Sequence, residues 1–202
     1  MVQNSRISRI VFYFLLPLLF IRYIFHIIFF FNTSCHEVLK KELFFVLNEY
    51  RVDMPMLLGF LWAIHRDPYF LSLFYYRIGA SRAYICSFFK KDTSTLVFTS
   101  DKIGVVKMYH PFSSVINAES IGDNFEFRNN TTIGNICNNN SLRPRIGNNV
   151  ILGANVVIFG DIEIGDNVVV GAGTVVNKNI PSNCIVVGNP FRIIAKNENS
   201  SN

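Results

Sequence analysis

Apolar residues recur every six positions through the second half of this chain, and that spacing leaves few folds open. Ile103, Tyr109, Val115, Ile121, Phe127 and Ile133 keep the beat, and after a step of thirteen Ile146, Leu152, Ile158, Ile164, Val170 and Val176 resume it. A period of six is neither the 3.6 of a helix nor the 2 of a half-buried strand. It is the period of a solenoid, in which each unit makes one short strand and one corner. Three units then close a triangular coil whose apolar side chains stack on those of the next. Val150, Val156, Ile162, Val168 and Thr174 supply a second inward position. Gly147, Gly153, Gly165 and Gly171 follow the leading aliphatics at the tight corners, and Asp and Asn fill much of the remainder, as corner residues do. A Gly- and Asn-rich β-sandwich is the competing reading, but unrelated strands rarely hold one register this long.

A chain of 202 residues, 50% hydrophobic, has room for one solenoid domain and a smaller element. Its net charge of +5 and pI near 9.1 suit an anionic partner, such as a phosphorylated cofactor or a lipid headgroup surface. No basic run interleaves with aromatics in the manner of a nucleic-acid interface, so no nucleic acid is expected. Cys35, Cys86, Cys137 and Cys184 are scattered without CxxC spacing, which indicates neither a zinc knuckle nor a disulfide framework. Reduced thiols are the expectation, with Cys137 a passive small residue rather than a nucleophile.

Residues 8–31 are strongly apolar and follow Arg6. The stretch is long enough to span a bilayer, but Arg22 and His26 interrupt it, so a signal anchor competes with a helix in the membrane interface and with a helix packed in an oligomer. No small-residue cleavage site follows, and a removed signal peptide is not expected. From Cys35 to about Ile78 the spacing of Val38, Leu39, Leu43, Phe44, Val46 and Leu47 is helical. Asp67-Pro68 predicts a fresh helix start, an N-cap followed by a proline in the first turn, running through Leu71, Phe74 and Tyr75 to Arg77. His36 and His65 lack partnered motifs and are read as structural. Arg82 to Lys91 mixes aromatics with Lys90 and Lys91, as a packed linker or a membrane-surface segment would. The expected division is an apolar N-terminal helix and possible membrane anchor over 1–34, an α-helical region over 35–92, the solenoid over 93–196 and a polar tail over 197–202.

A regular coil offers no pocket, so chemistry is sought where the beat fails. His110 is the only histidine of the solenoid half, and residues 135–145 carry seven extra residues that must loop out between Ile133 and Ile146. With eighteen residues to a coil, His110 is expected beneath Arg128, in a column continuing through Gly153 and Gly171, with the loop leaving directly above it. A histidine at a loop-shielded corner can act as a general base near neutral pH.

The stretches from Ile146 to Ile158 and from Ile164 to Lys178, and the segment Ile180 to Ile194 with its Val187-Gly188-Asn189-Pro190, resemble the hexapeptide-repeat acyltransferases. Within them, Phe74 to Gly79 and Lys102 to His110 resemble serine acetyltransferases and their relatives in capsule and lipopolysaccharide gene clusters. The resemblance covers about residues 38–196. It implies a left-handed parallel β-helix behind a helical region, a homotrimer with active sites between adjacent solenoids, and transfer of acetyl from acetyl-CoA to a hydroxyl with His110 as general base. It also implies that Ala154 and Ala172 let the pantetheine arm lie along the coil, with Lys178 and Arg192 near the CoA phosphates. Arg128 and Arg143 are candidates to touch the acceptor. Serine acetyltransferases carry a second histidine before the proline at the foot of the loop, where Arg143-Pro144 stands here. They also carry an aspartate that orients the base, for which Asp92, Asp101 and Glu119 are unranked candidates.

The expected activity is therefore O-acetyl transfer, with L-serine (cysteine biosynthesis) or a sugar of a surface glycan as acceptor, in a cytoplasmic protein able to attach to the inner membrane through its apolar segment. A metal is not expected, since a zinc site of the carbonic anhydrase kind needs three histidines on facing coils. A noncatalytic scaffold that has kept the fold is the remaining alternative.

Overall fold

A computed structural model describes residues 6–196 of the chain; the expected polar tail lies outside them. Six helices come first: α1 (Arg6–Arg22), α2 (Ile24–Phe31), α3 (His36–Glu49), α4 (Met56–Arg66), α5 (Pro68–Ile78) and α6 (Ala80–Ser87). Fifteen short strands follow: β1 (Leu96–Phe98), β2 (Lys102–Ile103), β3 (Val106–Tyr109), β4 (Ser114–Ile116), β5 (Ser120–Ile121), β6 (Phe125–Arg128), β7 (Thr132–Gly134), β8 (Arg145–Ile146), β9 (Ile151–Leu152), β10 (Val157–Phe159), β11 (Glu163–Ile164), β12 (Val169–Val170), β13 (Val175–Val176), β14 (Cys184–Val187) and β15 (Arg192–Lys196). The chain divides into two compact units between Ser94 and Thr95.

In the helical unit the apolar N-terminal stretch is two helices rather than one, bent by 76° where Tyr23 separates them. No single helix among the described residues is long and apolar enough to cross a membrane. One face of the pair joins the core: Phe12, Leu19, Tyr23 and Phe30 pack in one cluster with Leu39, Leu43, Phe60, Trp62, Phe70 and Phe74. Most polar groups inside this core are paired, because an unpaired one forfeits its hydration without return; His26 Nδ1 is the exception among the described residues. Glu42 and Arg77, whose side chains are 1% and 4% exposed, form a buried ion pair. Asp67 caps α5 as expected, its Oδ1 accepting from Tyr69 N at 2.8 Å and Phe70 N at 3.1 Å, with Pro68 in the first turn. The helix ends at Gly79, whose φ of +83° suits glycine. His65 is structural as read, its Nδ1 lying 3.1 Å from Tyr23 Oη. His36 Nδ1 lies 2.8 Å from the carbonyl of Phe30.

The second unit is the expected parallel solenoid. Its three faces are a sheet of β1, β4, β7, β10 and β13, a second of β2, β5, β8 and β11, and a third of β3, β6, β9, β12 and β14, closed by the antiparallel β15. The second inward position is as expected, with Val150, Val156, Val168 and Thr174 all at zero exposure. Corner asparagines form a ladder through the coils: Asn124 to Asn149, Asn149 to Asn167 and Asn167 to Asn183 bond at 2.9–3.1 Å, and all four have positive φ. Asn tolerates that conformation because its short polar side chain bonds locally. At Gly153 an added Cβ would lie 2.5 Å from the backbone nitrogen of Ala172 on the next coil, so the stacking itself demands glycine there.

The beat departs from strict register in the first coils. Met108, not Tyr109, pairs with Phe127, and Ile116, not Val115, pairs with Ile133. Ile116 is fully buried whereas Val115 is 40% exposed. The offset between neighbouring coils is therefore nineteen residues at Tyr109–Arg128 but seventeen at Val115–Thr132. The corner between β3 (Val106–Tyr109) and β4 (Ser114–Ile116) thus holds two more residues than the corner stacked on it, and it is the corner of His110.

Candidate active site

The two extra residues push His110 out of the coil while Pro111 stays buried. His110 has φ +49° and is exposed, and its carbonyl accepts from Phe112 N at 2.9 Å, a tight turn about the buried Pro111. A left-handed non-glycine residue before proline is an uncommon backbone state, and such states concentrate at functional positions. Among the described residues no side chain hydrogen-bonds the imidazole. The three acids considered as its orienting partner are engaged elsewhere. Asp92 Oδ1 accepts from Ser94 N at 2.8 Å, Glu119 pairs with Arg145 at 3.0 Å, and Asp101 pairs with Arg143.

Tyr109, rather than His110, sits beneath Arg128, whose guanidinium lies 5.2 Å from the Tyr109 ring centroid. Arg128 is also 3.8 Å from Glu126. The solenoid edge that carries His110 continues upward through Asn129-Asn130, Ala154-Asn155 and Ala172-Gly173. Asn130 bonds Asn155 at 2.9 Å, and Gly173 N donates to Ala154 O at 2.9 Å. At the top of this edge Arg192 pairs with Val187, which a Cβ on Gly171 would strike. Above Arg128 the edge carries a row of small residues, Gly153, Ala154, Gly171, Ala172 and Gly173, beside the longer Asn155. Small residues there leave the surface of the coil uncrowded, with Arg192 at the top of the row.

The other irregularity stands on a different edge. The loop leaves after β7 (Thr132–Gly134) and returns at β8 (Arg145–Ile146), between the first and second faces, whereas His110 lies between the third and first. The expectation that the loop rises directly over His110 therefore fails within one solenoid. Coils of equal length give only a column, and the strand pairs show which edge it stands on. Arg143 fastens the loop's return. Its guanidinium donates to Asp101 Oδ1 at 3.1 Å and Asn117 Oδ1 at 3.4 Å, and its Nε donates to Asn140 O at 2.6 Å. The hydrogen bond from Arg143, helped by its charge, lowers the Asp101 carboxyl from its ordinary value. Lys178, after β13 (Val175–Val176), is exposed on this same edge.

The site residues thus sort into two groups: His110, Arg128, Ala154, Ala172 and Arg192 on one edge, Arg143, Lys178 and the loop on another. The additional feature is the two-residue bulge at His110. Its signal was present as a step of eight from Met108 to Ile116, with Pro111 inside it.

Known proteins place the chain. The bacterial transferase hexapeptide family (six repeats) matches residues 143–178. A protein described as the colanic acid biosynthesis acetyltransferase WcaB of Escherichia coli (strain K12) is 48% identical over 87 residues, 43% of this chain and 54% of that protein. Serine acetyltransferase 1, chloroplastic, of Arabidopsis thaliana is 41% identical over 101 residues, 48% of this chain and 32% of that protein. The matches thus span about half of the first relative and a third of the second. The crystal structure of Neisseria gonorrhoeae serine acetyltransferase (CysE) shares the fold with a TM-score of 0.66 at 22% identity, over 82% of this chain and 68% of that one. The helices followed by a parallel solenoid, the hexapeptide match over residues 143–178 and these acetyltransferase relatives agree: the chain is similar to hexapeptide-repeat acetyltransferases and shares their fold.

Proposed function

We propose that this protein is an O-acetyltransferase that takes acetyl from acetyl-CoA and transfers it to a saccharide hydroxyl. The observation that carries the acetyl-transfer reading is the exposed His110 at the foot of a row of glycines and alanines on one solenoid edge. Acetyl-CoA supplies the acetyl group as a thioester. His110 removes the acceptor's hydroxyl proton as that oxygen attacks, then returns a proton to the departing thiolate. An alcohol is too weak an acid to ionise near pH 7, so a base within hydrogen-bond reach is required, and a positioned one contributes about 10²–10⁴-fold. Ala154 and Ala172 leave room for the cofactor arm, and Arg192 and Lys178 attract its phosphates. Holding the two substrates together supplies much of the remaining acceleration.

Because His110 and the loop stand on different edges of one solenoid, a homotrimer is the arrangement that brings them together. Each site would then take His110 from one subunit and loop residues from the next. The saccharide acceptor is favoured by Arg143. It stands where serine acetyltransferases place a second histidine, and here it is tied to Asp101 and Asn117. The similarity to a colanic acid biosynthesis acetyltransferase points the same way. Serine is the second reading, supported by the plant relative. The test is CoA release from acetyl-CoA with purified protein, offered L-serine in one series and nucleotide sugars or glycan oligosaccharides in another. Turnover with saccharides alone supports the proposal, turnover with serine alone reverses the acceptor, and turnover with neither favours a scaffold.

A further inference from the structure

The outer face of the first two helices is apolar as well as the inner one. Val11, Phe14, Leu18, Ile21, Phe25 and Ile28 succeed one another at steps of three and four and are 37–83% exposed, opposite the buried Phe12, Leu19, Tyr23 and Phe30. Helices apolar all round are normally covered. The stripe continues past the bend onto α6. Phe25 lies 5.4 Å from Phe89, Arg22 Nε donates to Phe89 O at 3.0 Å, and Arg82 stands 5.6 Å from the Phe29 ring. Beyond these, Tyr84 and Phe88 are 67% and 73% exposed, their rings packed edge to face at 5.1 Å. Together these exposed apolar side chains, on α1, α2, α6 and the residues just after it, are of the kind that marks an interaction site.

Its charge is one-sided. Residues 1–36 contain no Asp or Glu but include Arg6, Arg9 and Arg22, and residues 79–91 contain no Asp or Glu but include Arg82, Lys90 and Lys91. A second copy of the same face would set these cations against one another with no acid in the patch to answer them. Anionic headgroups answer them directly, while aromatic side chains suit the headgroup–acyl boundary. The bend of 76° and the helix lengths of 17 and 8 residues fit a pair lying in the surface plane. We infer that this face docks on an anionic lipid bilayer, with Phe14, Leu18, Ile21 and Phe88 in the acyl boundary and Arg22, Arg82, Lys90 and Lys91 among the headgroups.

Flotation of the full chain with vesicles tests this directly. The protein floats with mixed phosphatidylcholine–phosphatidylglycerol vesicles and much less with phosphatidylcholine alone. The triple variant Phe14→Glu/Leu18→Glu/Ile21→Glu keeps its circular dichroism and CoA-release rate but loses flotation. Lys90→Gln/Lys91→Gln weakens binding by about five-fold per cation removed at low salt, a difference that shrinks at high salt. Equal flotation of the triple variant overturns the inference. So does a wild-type protein that ignores vesicles while forming an assembly that the triple variant dissociates, which would assign the face to a second copy. Acetyl transfer is read separately, so either proposal can fail without the other.

Discussion

Replacing Arg77 by methionine deletes one member of an ion pair whose other member, Glu42, has a side chain only 1% exposed. Methionine restores most of the volume, so the dominant loss is charge compensation. Removing one member of a buried ion pair costs about 3–5 kcal/mol, whereas exchanging both partners for apolar residues is often near neutral. Trp62, the single tryptophan and 4% exposed, reports the helical unit alone. With a urea dependence of about 1.5 kcal/mol/M, the loss moves the Trp62 fluorescence midpoint down by about 2–3 M. Glu42→Met/Arg77→Met should recover most of that shift. The penalty should also shrink as pH falls, because a buried carboxyl that has lost its cation has a folded pKa above its unfolded value and becomes neutral on acidification. A midpoint shift under about 0.5 M for Arg77→Met, or a double variant no more stable than the single one, refutes the reasoning.

His26 gives an independent pH signature. Its Nε2 meets Tyr75 Oη at 3.0 Å, Tyr75 Oη itself donates to Lys90 O, and Nδ1 has no partner among the described residues. Burial, then the nearby Arg22 charge, pushes the imidazole down to about 4 from 6.5. A lowered histidine pKa means that the unfolded chain binds the proton first. Stability of the helical unit is then full above pH 6.5 and falls by roughly 3 kcal/mol toward pH 4, with His65 acting in the same direction. The Trp62 midpoint measured against pH checks this, and His26→Leu should flatten the slope. In the solenoid, Gly153→Ala drives a Cβ against the Ala172 backbone and should cost about 1–3 kcal/mol in thermal melts; an unchanged melt contradicts the stacking account. Arg143→Ala should speed limited proteolysis within 135–145 and raise the acceptor KM more than that of acetyl-CoA, since the loop loses its tie to Asp101. Equal proteolysis would show that the loop is held by other contacts.

The solenoid was legible because inward positions repeat and the corners accept few residues. Ile121 to Val176 stack as their spacing implies, apart from the loop. The first coils were not, because Tyr109 and Val115 are apolar enough to pass for core while Met108 and Ile116 take the inward places. Periodicity cannot tell two adjacent apolar residues apart; the strand pairing does. The same ambiguity hid the His110 bulge and put the loop on the wrong edge. In the helical unit Asp67-Pro68 marked its helix unaided, since capping is local. The bend at Tyr23 was hidden in a uniformly apolar run. Glu42–Arg77 was also out of reach, being a contact between residues 35 positions apart.

The central claim is that His110 is the base of an acetyl transfer, and the rate of CoA release by His110→Ala beside wild type tests it most directly. The account predicts a fall of about 10²–10⁴-fold in kcat with the KM for acetyl-CoA little changed. Undiminished turnover in the variant would contradict it.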